Sequence, residues 1–338
     1  MWVGGHPPKQ DLFNWRHLAM GRANLANGAR DGRDHCLILP SRAPDAGKVS
    51  CLWRPDLTGP TGHRGNLARH PPLFPPPPVI GLGIGAARRL PSAVRGLLIG
   101  DLPTALWWAT PEPPPRAGEL FMELADLADQ VIYDSLGWPE PTRHLVATAN
   151  WATGDRVRQA VSDVAWRRLK LWRRLLTQAM DPAVAPGILE TIREVTVEHG
   201  PHAMTQGWLL ADWLALRLHW HPVEGWVAVG SEAAWQFHAP HGIVPIAIRR
   251  LSEGETEIQS VRIVGTIGGR SATISCTNVG PGRLAVTSDV APGVVRTLST
   301  LPQSRADLVA RQLPDLARDP LFRECLAFAR IMAHALLR

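Results

Sequence analysis

The sequence predicts an α/β N-terminal domain, built on a mostly parallel sheet with helices, followed by an α+β domain with an antiparallel sheet and C-terminal helices. Residues 104–108 (Thr-Ala-Leu-Trp-Trp) are apolar on both faces, as a strand buried in mid-sheet requires. Leu120, Phe121, Leu124, Leu127 and Ala128 then recur at the helical period with Glu119, Glu123 and Asp126 opposite, and residues 131–133 read as a second buried strand. Strand, helix and strand in that order make a parallel pair with a right-handed crossover. From Trp226 the period falls to two, and short strands alternate with Gly-rich turns, the pattern of an antiparallel meander.

Residues 1–30 form a variable segment with little period, 31–160 the first domain and 161–338 the second. Residues 35–39 and 49–53 are strand candidates carrying Cys36 and Cys51, the candidate redox pair. Residues 75–78 are four prolines, a stiff extended piece. After them Gly81, Gly83 and Ala86 fit a G-x-G-x-x-A spacing. A dinucleotide loop also needs an uninterrupted helix and a closing acid, and Pro91 breaks the one while Asp101 opens the next strand, so a bent strand is the reading here. Residues 90–99 read as a helix begun at Pro91-Ser92, and residues 145–149 and the stretch from Val157 onward as helical.

The segment from Asp163 to Met180 is the most informative. On one helix, Val164, Trp166, Leu169, Trp172, Leu175, Leu176, Ala179 and Met180 make a broad apolar arc, with Arg167, Lys170 and Arg174 opposite. Arg168 falls inside the arc and Arg173 at its edge beside Trp166. A guanidinium there must be paired, must snorkel, or must face a second protein. Further on, residues 194–197 read as a strand and residues 208–218 as an amphipathic helix. Residues 244–248, 261–263, 272–276, 284–286 and 294–298 read as strands. Helices over 304–313, capped by Ser304 and Asp307, and over 320–336, opened by Pro320, close the chain.

The chain has 36 basic and 30 acidic residues, a net +6. Residues 151–180 alone hold seven basic residues against two acidic ones, so nearly all the excess lies in one segment, the natural place for an acidic partner. Without an apolar run of secretory or membrane-spanning kind, the chain is expected to be soluble and cytoplasmic. Cys276 and Cys325 fall on apolar faces and are expected in the core. The histidine pairs 199/202, 219/221 and 238/241 lack a third ligand of zinc spacing, so turn histidines are expected rather than a metal site. No nucleophile elbow or phosphate-binding loop stands out, and no catalytic residue, cofactor or metal is assigned. A basic nucleic-acid-binding protein is the alternative: the basic segment interleaved with Trp166 and Trp172 would suit phosphate contact plus stacking, but these tryptophans lie on the apolar arc and not among the stacked basic residues.

Four stretches carry a resemblance: residues 101–108 (Asp-Leu-Pro-Thr-Ala-Leu-Trp-Trp), residues 127–135 (Leu-Ala-Asp-Gln-Val-Ile-Tyr-Asp-Ser), residues 163–176 around Trp166 and Trp172, and residues 208–220 around Trp213 and Arg217. In this order they resemble the glucose-6-phosphate dehydrogenase assembly protein family, OpcA, over residues 86–221. The resemblance implies a non-catalytic subunit that binds oligomeric glucose-6-phosphate dehydrogenase and stabilises its active oligomer. It also implies a raised response to glucose 6-phosphate at the entry to the oxidative pentose phosphate pathway. The contact is expected on Arg167, Arg168, Lys170, Arg173 and Arg174, with Trp166 and Trp172 holding the helix in place. Charge reversal at Arg168 and Arg173 is expected to abolish activation with the fold intact. The family's pattern opens with an additional strand and helix that residues 1–30 do not display, so the first sheet is expected to be one strand short or differently started.

Overall fold

Trp107 and Trp108 lie in a fully buried strand, as the two-faced apolar run requires. The computed structural model describes residues 90–98, 102–110, 112–228, 232–289 and 295–336, preceded by four short strands, β1 (Trp2–Val3), β2 (Leu37–Ile38), β3 (Ser50–Cys51) and β4 (Val79–Gly81). Then come α1 (Leu90–Arg95), β5 (Ala105–Trp108), α2 (Gly118–Ala125), β6 (Gln130–Tyr133), α3 (Pro141–Ala152) and β7 (Ala160–Asp163). The first sheet has the order β1-β5-β6-β7 and every pairing is parallel.

This sheet corrects two expectations. The opening strand that residues 1–30 do not display is present as β1, with Trp2 beside Trp107; two residues are too few to show a period. The stretch from Val157, read as helical, contains β7, where Ala160 to Asp163 meet Gln130 to Tyr133 and satisfy the ladder of β6. A second small sheet, β2-β4-β3, joins β2 in parallel and β3 antiparallel to β4. Gly83 and Ala86 of the glycine spacing, and Cys36 of the redox pair, lie outside the described residues; Cys51 is placed in β3 by its backbone.

The rest of the chain is α4 (Val164–Arg168), α5 (Lys170–Ala179), β8 (Glu194–His199), α6 (Met204–Arg217), β9 (His221–Ala228), β10 (Glu232–Ala239), β11 (Gly242–Arg250), β12 (Ile258–Ile267), β13 (Arg270–Gly280), β14 (Arg283–Ser288), β15 (Arg296–Ser299), α7 (Arg305–Gln312) and α8 (Pro320–Leu336). The strands form one sheet in the order β15-β14-β13-β12-β8-β11-β10-β9. It is mixed, which corrects the simple meander: β8 sits between β11, to which it is parallel, and β12, to which it is antiparallel. Local periodicity cannot reveal such an insertion, because β8 precedes its neighbours by more than forty residues.

Alternation along the strands sends Val195, Val197, Ile246, Ile248, Ile263 and Ile274 to one face, where they share a core with α5, α6 and α8. Helix α6 is buried all round from Thr205 to Ala215, a correction to the amphipathic reading, because it is enclosed by this sheet and by α3 and α8. Its approach depends on Gly207: a Cβ there would stand 2.9 Å from Ile248 Cγ2. The same core takes in Leu106, Trp108, Val131 and Tyr133 of the parallel sheet. The opposite face of that sheet, Trp107 and Ile132, packs with Val164 against Leu308 and Val309 of α7, so both faces are covered. Among the described residues no helix is long and apolar enough to cross a membrane.

Candidate partner interface

The basic segment begins at the end of β7, where Asp163 caps α4 by accepting a bond from Ala165 N at 2.8 Å. The single helix expected from Asp163 to Met180 is two: at Leu169, whose N–H reaches back to both Ala165 O and Trp166 O, the last turn of α4 tightens before α5 starts.

That break settles which cations face in and which face out. Arg168 turns inward, its side chain 12% exposed, and its two terminal nitrogens donate to Asp134 Oδ1 and Oδ2 at 2.8 and 3.1 Å. Arg305 Nε approaches Asp134 Oδ2 at 2.9 Å from the start of α7, and Glu257 stands 3.7 Å from Arg168 Nε. Burial by itself would raise the Asp134 carboxyl, but the charges of Arg168 and then Arg305 outweigh it and hold Asp134 below its ordinary range. Asp163, beside it, forms no ion pair among the described residues. Burial first, and the negative charge of Asp134 second, push it up to about 7, although Ser135 N, Ser135 Oγ and Ala165 N all donate to it.

Arg173 also turns inward. Its guanidinium lies 3.6 Å from the centre of the Trp166 ring and donates to Trp166 O at 3.1 Å. Trp166 itself is buried and donates its indole N–H to Asp319 Oδ2 at 2.9 Å, while Asp319 Oδ1 caps α8 at Phe322 N. Trp172 is buried in the main core. Arg167 is half-buried against α7, donating to Gln312 Oε1 at 2.6 Å and Arg311 O at 3.0 Å. Lys170 and Arg174, one turn apart, are exposed.

Of the residues singled out in the sequence, Trp166, Arg168, Trp172 and Arg173 therefore join the interior, and Lys170 and Arg174 remain on the surface with Arg167 at the boundary. This corrects the expectation that charge reversal at Arg168 and Arg173 leaves the fold intact, since a carboxylate at 168 would face the buried Asp134. Stacking of nucleic-acid bases on Trp166 and Trp172 is likewise closed off by their burial. Arg305, Arg311 and Glu257 were not legible as neighbours of this segment, because about ninety to one hundred and forty residues separate them from it.

Cys276 and Cys325 are buried, as their apolar faces predict, and burial pushes the Cys276 thiol up to about 12 and Cys325 upward too. His199 is buried with Nδ1 against Gly200 O, and among the described residues no three histidines, cysteines or carboxylates gather as metal ligands. His202 and His219 have positive φ, consistent with turn positions.

Two family models match the chain in order. Residues 79–150 match the N-terminal domain of a glucose-6-phosphate dehydrogenase subunit and residues 159–326 its C-terminal domain. The OxPP cycle protein OpcA of Nostoc punctiforme is 28% identical over 256 residues, covering 71% of this chain and 53% of that protein. Its counterpart from Synechocystis is 25% identical over 253 residues, covering 72% and 52%. The chain thus spans about half the length of the curated relatives it matches. Among solved structures, a levoglucosan dehydrogenase in complex with NADH and L-sorbose shares the fold at a TM-score of 0.50 and 11% identity, covering 77% of this chain and 81% of that one. From the two ordered domain matches and the relatives that agree with them, the chain belongs to the OpcA family of glucose-6-phosphate dehydrogenase subunits.

Proposed function

We propose that the chain is a non-catalytic subunit that binds glucose-6-phosphate dehydrogenase, favours its active oligomer and raises its response to glucose 6-phosphate. The observation that carries this is the consecutive match to both domains of the dehydrogenase subunit family. Activation of this kind is a coupling free energy, about 1–3 kcal/mol in typical systems, and exists only if the subunit contacts the active dehydrogenase better than the inactive one.

Lys170 and Arg174, with Arg167 and Arg311 beside them, form the cationic surface proposed to meet the dehydrogenase. Arg168, Arg173, Trp166 and Trp172 act behind it, by fixing α4 and α5 to the parallel sheet and to α8. Exposed cations attract an acidic surface at long range and accelerate encounter, whereas the buried ones set only the geometry. The test is to mix the chain with the dehydrogenase of the same cell and measure rate against glucose 6-phosphate. A lower half-saturating concentration supports the proposal; an unchanged curve together with no co-sedimentation overturns it.

A further inference from the structure

We propose that the face of the eight-stranded sheet on which no described helix packs is a self-association surface, by which two copies of this chain pack sheet to sheet around a two-fold axis.

Helices α5, α6 and α8 all pack on the face that carries the valines and isoleucines. No described helix packs on the other. The register makes that face flat. Trp226, Ala234, Ala247, Thr196, Arg262, Ser275 and Thr287 run side by side across seven strands, one directly beside the next. A second row runs through Glu198, Ser260, Thr277, Ala285 and Thr297. Between Trp226 on the edge strand and Arg262 at the middle, the small side chains of Ala234, Ala247 and Thr196 let two sheets approach to about 10 Å, the spacing of a sandwich.

Size and charge select the occupant. Eight strands about 4.8 Å apart and about eight residues long on average, at about 3.4 Å each, offer about 1,000 Å² in projection. That is enough for the roughly 800 Å² per partner of a stable interface. At the middle of the strand order, β12 and β8 place Arg262 beside Thr196, with Glu194 and Glu198 at the diagonal positions two residues away. Arg262 is exposed and, among the described residues, makes no ion pair or side-chain hydrogen bond. A two-fold axis through this centre brings each Arg262 to the glutamates of the other copy, the reciprocal pairing that an isologous interface demands. A surface on which Arg262 and Arg249 stand among Glu194 and Glu198 carries both signs and complements itself better than it complements a uniformly acidic protein. Lys170 and Arg174 lie on the helix-covered side, so self-association leaves the proposed dehydrogenase contact free.

The test is sedimentation velocity of the full chain from about 0.1 to 50 μM, in the absence of dehydrogenase. The proposal predicts a species of twice the 37.0 kDa chain mass. Arg262→Glu, which sets like charges against each other, should raise the dissociation constant by about 30-fold or more. Ala247→Arg, which props the sheets apart, should do the same. Lys170→Glu with Arg174→Glu should leave the dimer unchanged. A monomer at every concentration overturns the inference, as does a dimer that survives both face substitutions. If Arg262→Glu fails to fold, Ala247→Arg decides alone. A wild-type chain that is monomeric but loses dehydrogenase binding on Arg262→Glu also overturns it, and assigns the face to the other protein.

Discussion

Replacing Arg168 by methionine separates the interior cations from the surface ones. The substitution keeps the stem's apolar contacts and removes the guanidinium that grips Asp134 through two bonds. Asp134 is then left buried with Arg305 Nε at 2.9 Å and Leu136 N at 3.2 Å. Removing one partner of a buried pair typically costs about 3–5 kcal/mol, and the surviving Arg305 places this case at the lower end, about 3 kcal/mol. With a urea dependence of about 3 kcal/mol per molar, the unfolding midpoint should fall by about 1 M. Lys170→Met and Arg174→Met, at exposed positions, should each stay within about 0.5 kcal/mol of the parent chain. The assay is urea unfolding followed by far-UV circular dichroism. An Arg168→Met chain that unfolds at the parent midpoint would refute the assignment of Arg168 to the interior.

Asp163→Asn should flatten the pH dependence of stability. The native carboxyl is held near 7 against an ordinary 3.8, so below about pH 4 both states are protonated and the group costs nothing. Between about 4 and 7 only the unfolded chain ionises and stability falls as pH rises, by up to about 4 kcal/mol above pH 7. The variant should therefore gain on the parent from pH 5 to pH 8 in urea unfolding, and an equal difference at both pH values would disprove the origin given for the shift. Gly207→Ala should cost about 1–3 kcal/mol through the contact with Ile248, measurable as a lower thermal midpoint. In a chain carrying Cys36→Ser and Cys51→Ser, the two remaining thiols should react with a thiol reagent at pH 8 only after unfolding, and rapid native labelling would contradict their burial.

The elements legible in the sequence were those whose burial is repeated over a full period. Residues 104–108 and 131–133 carry no polar face, and the capping box of Ser304 and Asp307 forms as its spacing predicts. β1 and β7 were not legible because two and four residues are too few to show alternation; their pairing partners, not their own composition, make them strands. The insertion of β8 between β11 and β12 is likewise a long-range choice. In the basic segment the helical arc correctly marked Arg168 and Arg173 as the two cations in need of partners. It could not say that an internal carboxylate and an internal indole supply them, since Asp134 lies 34 residues away and the ring over which Arg173 sits is held by Asp319. The surface proposed to meet another protein is therefore narrower than the sequence implied, with Lys170 and Arg174 at its centre.

The most direct test of the central claim is the affinity of purified glucose-6-phosphate dehydrogenase for the chain, measured at two salt concentrations for the parent and for Lys170→Glu with Arg174→Glu. The account predicts tight binding by the parent that weakens with salt, and a loss of at least about tenfold in the variant at unchanged stability. Equal affinity of parent and variant would contradict it.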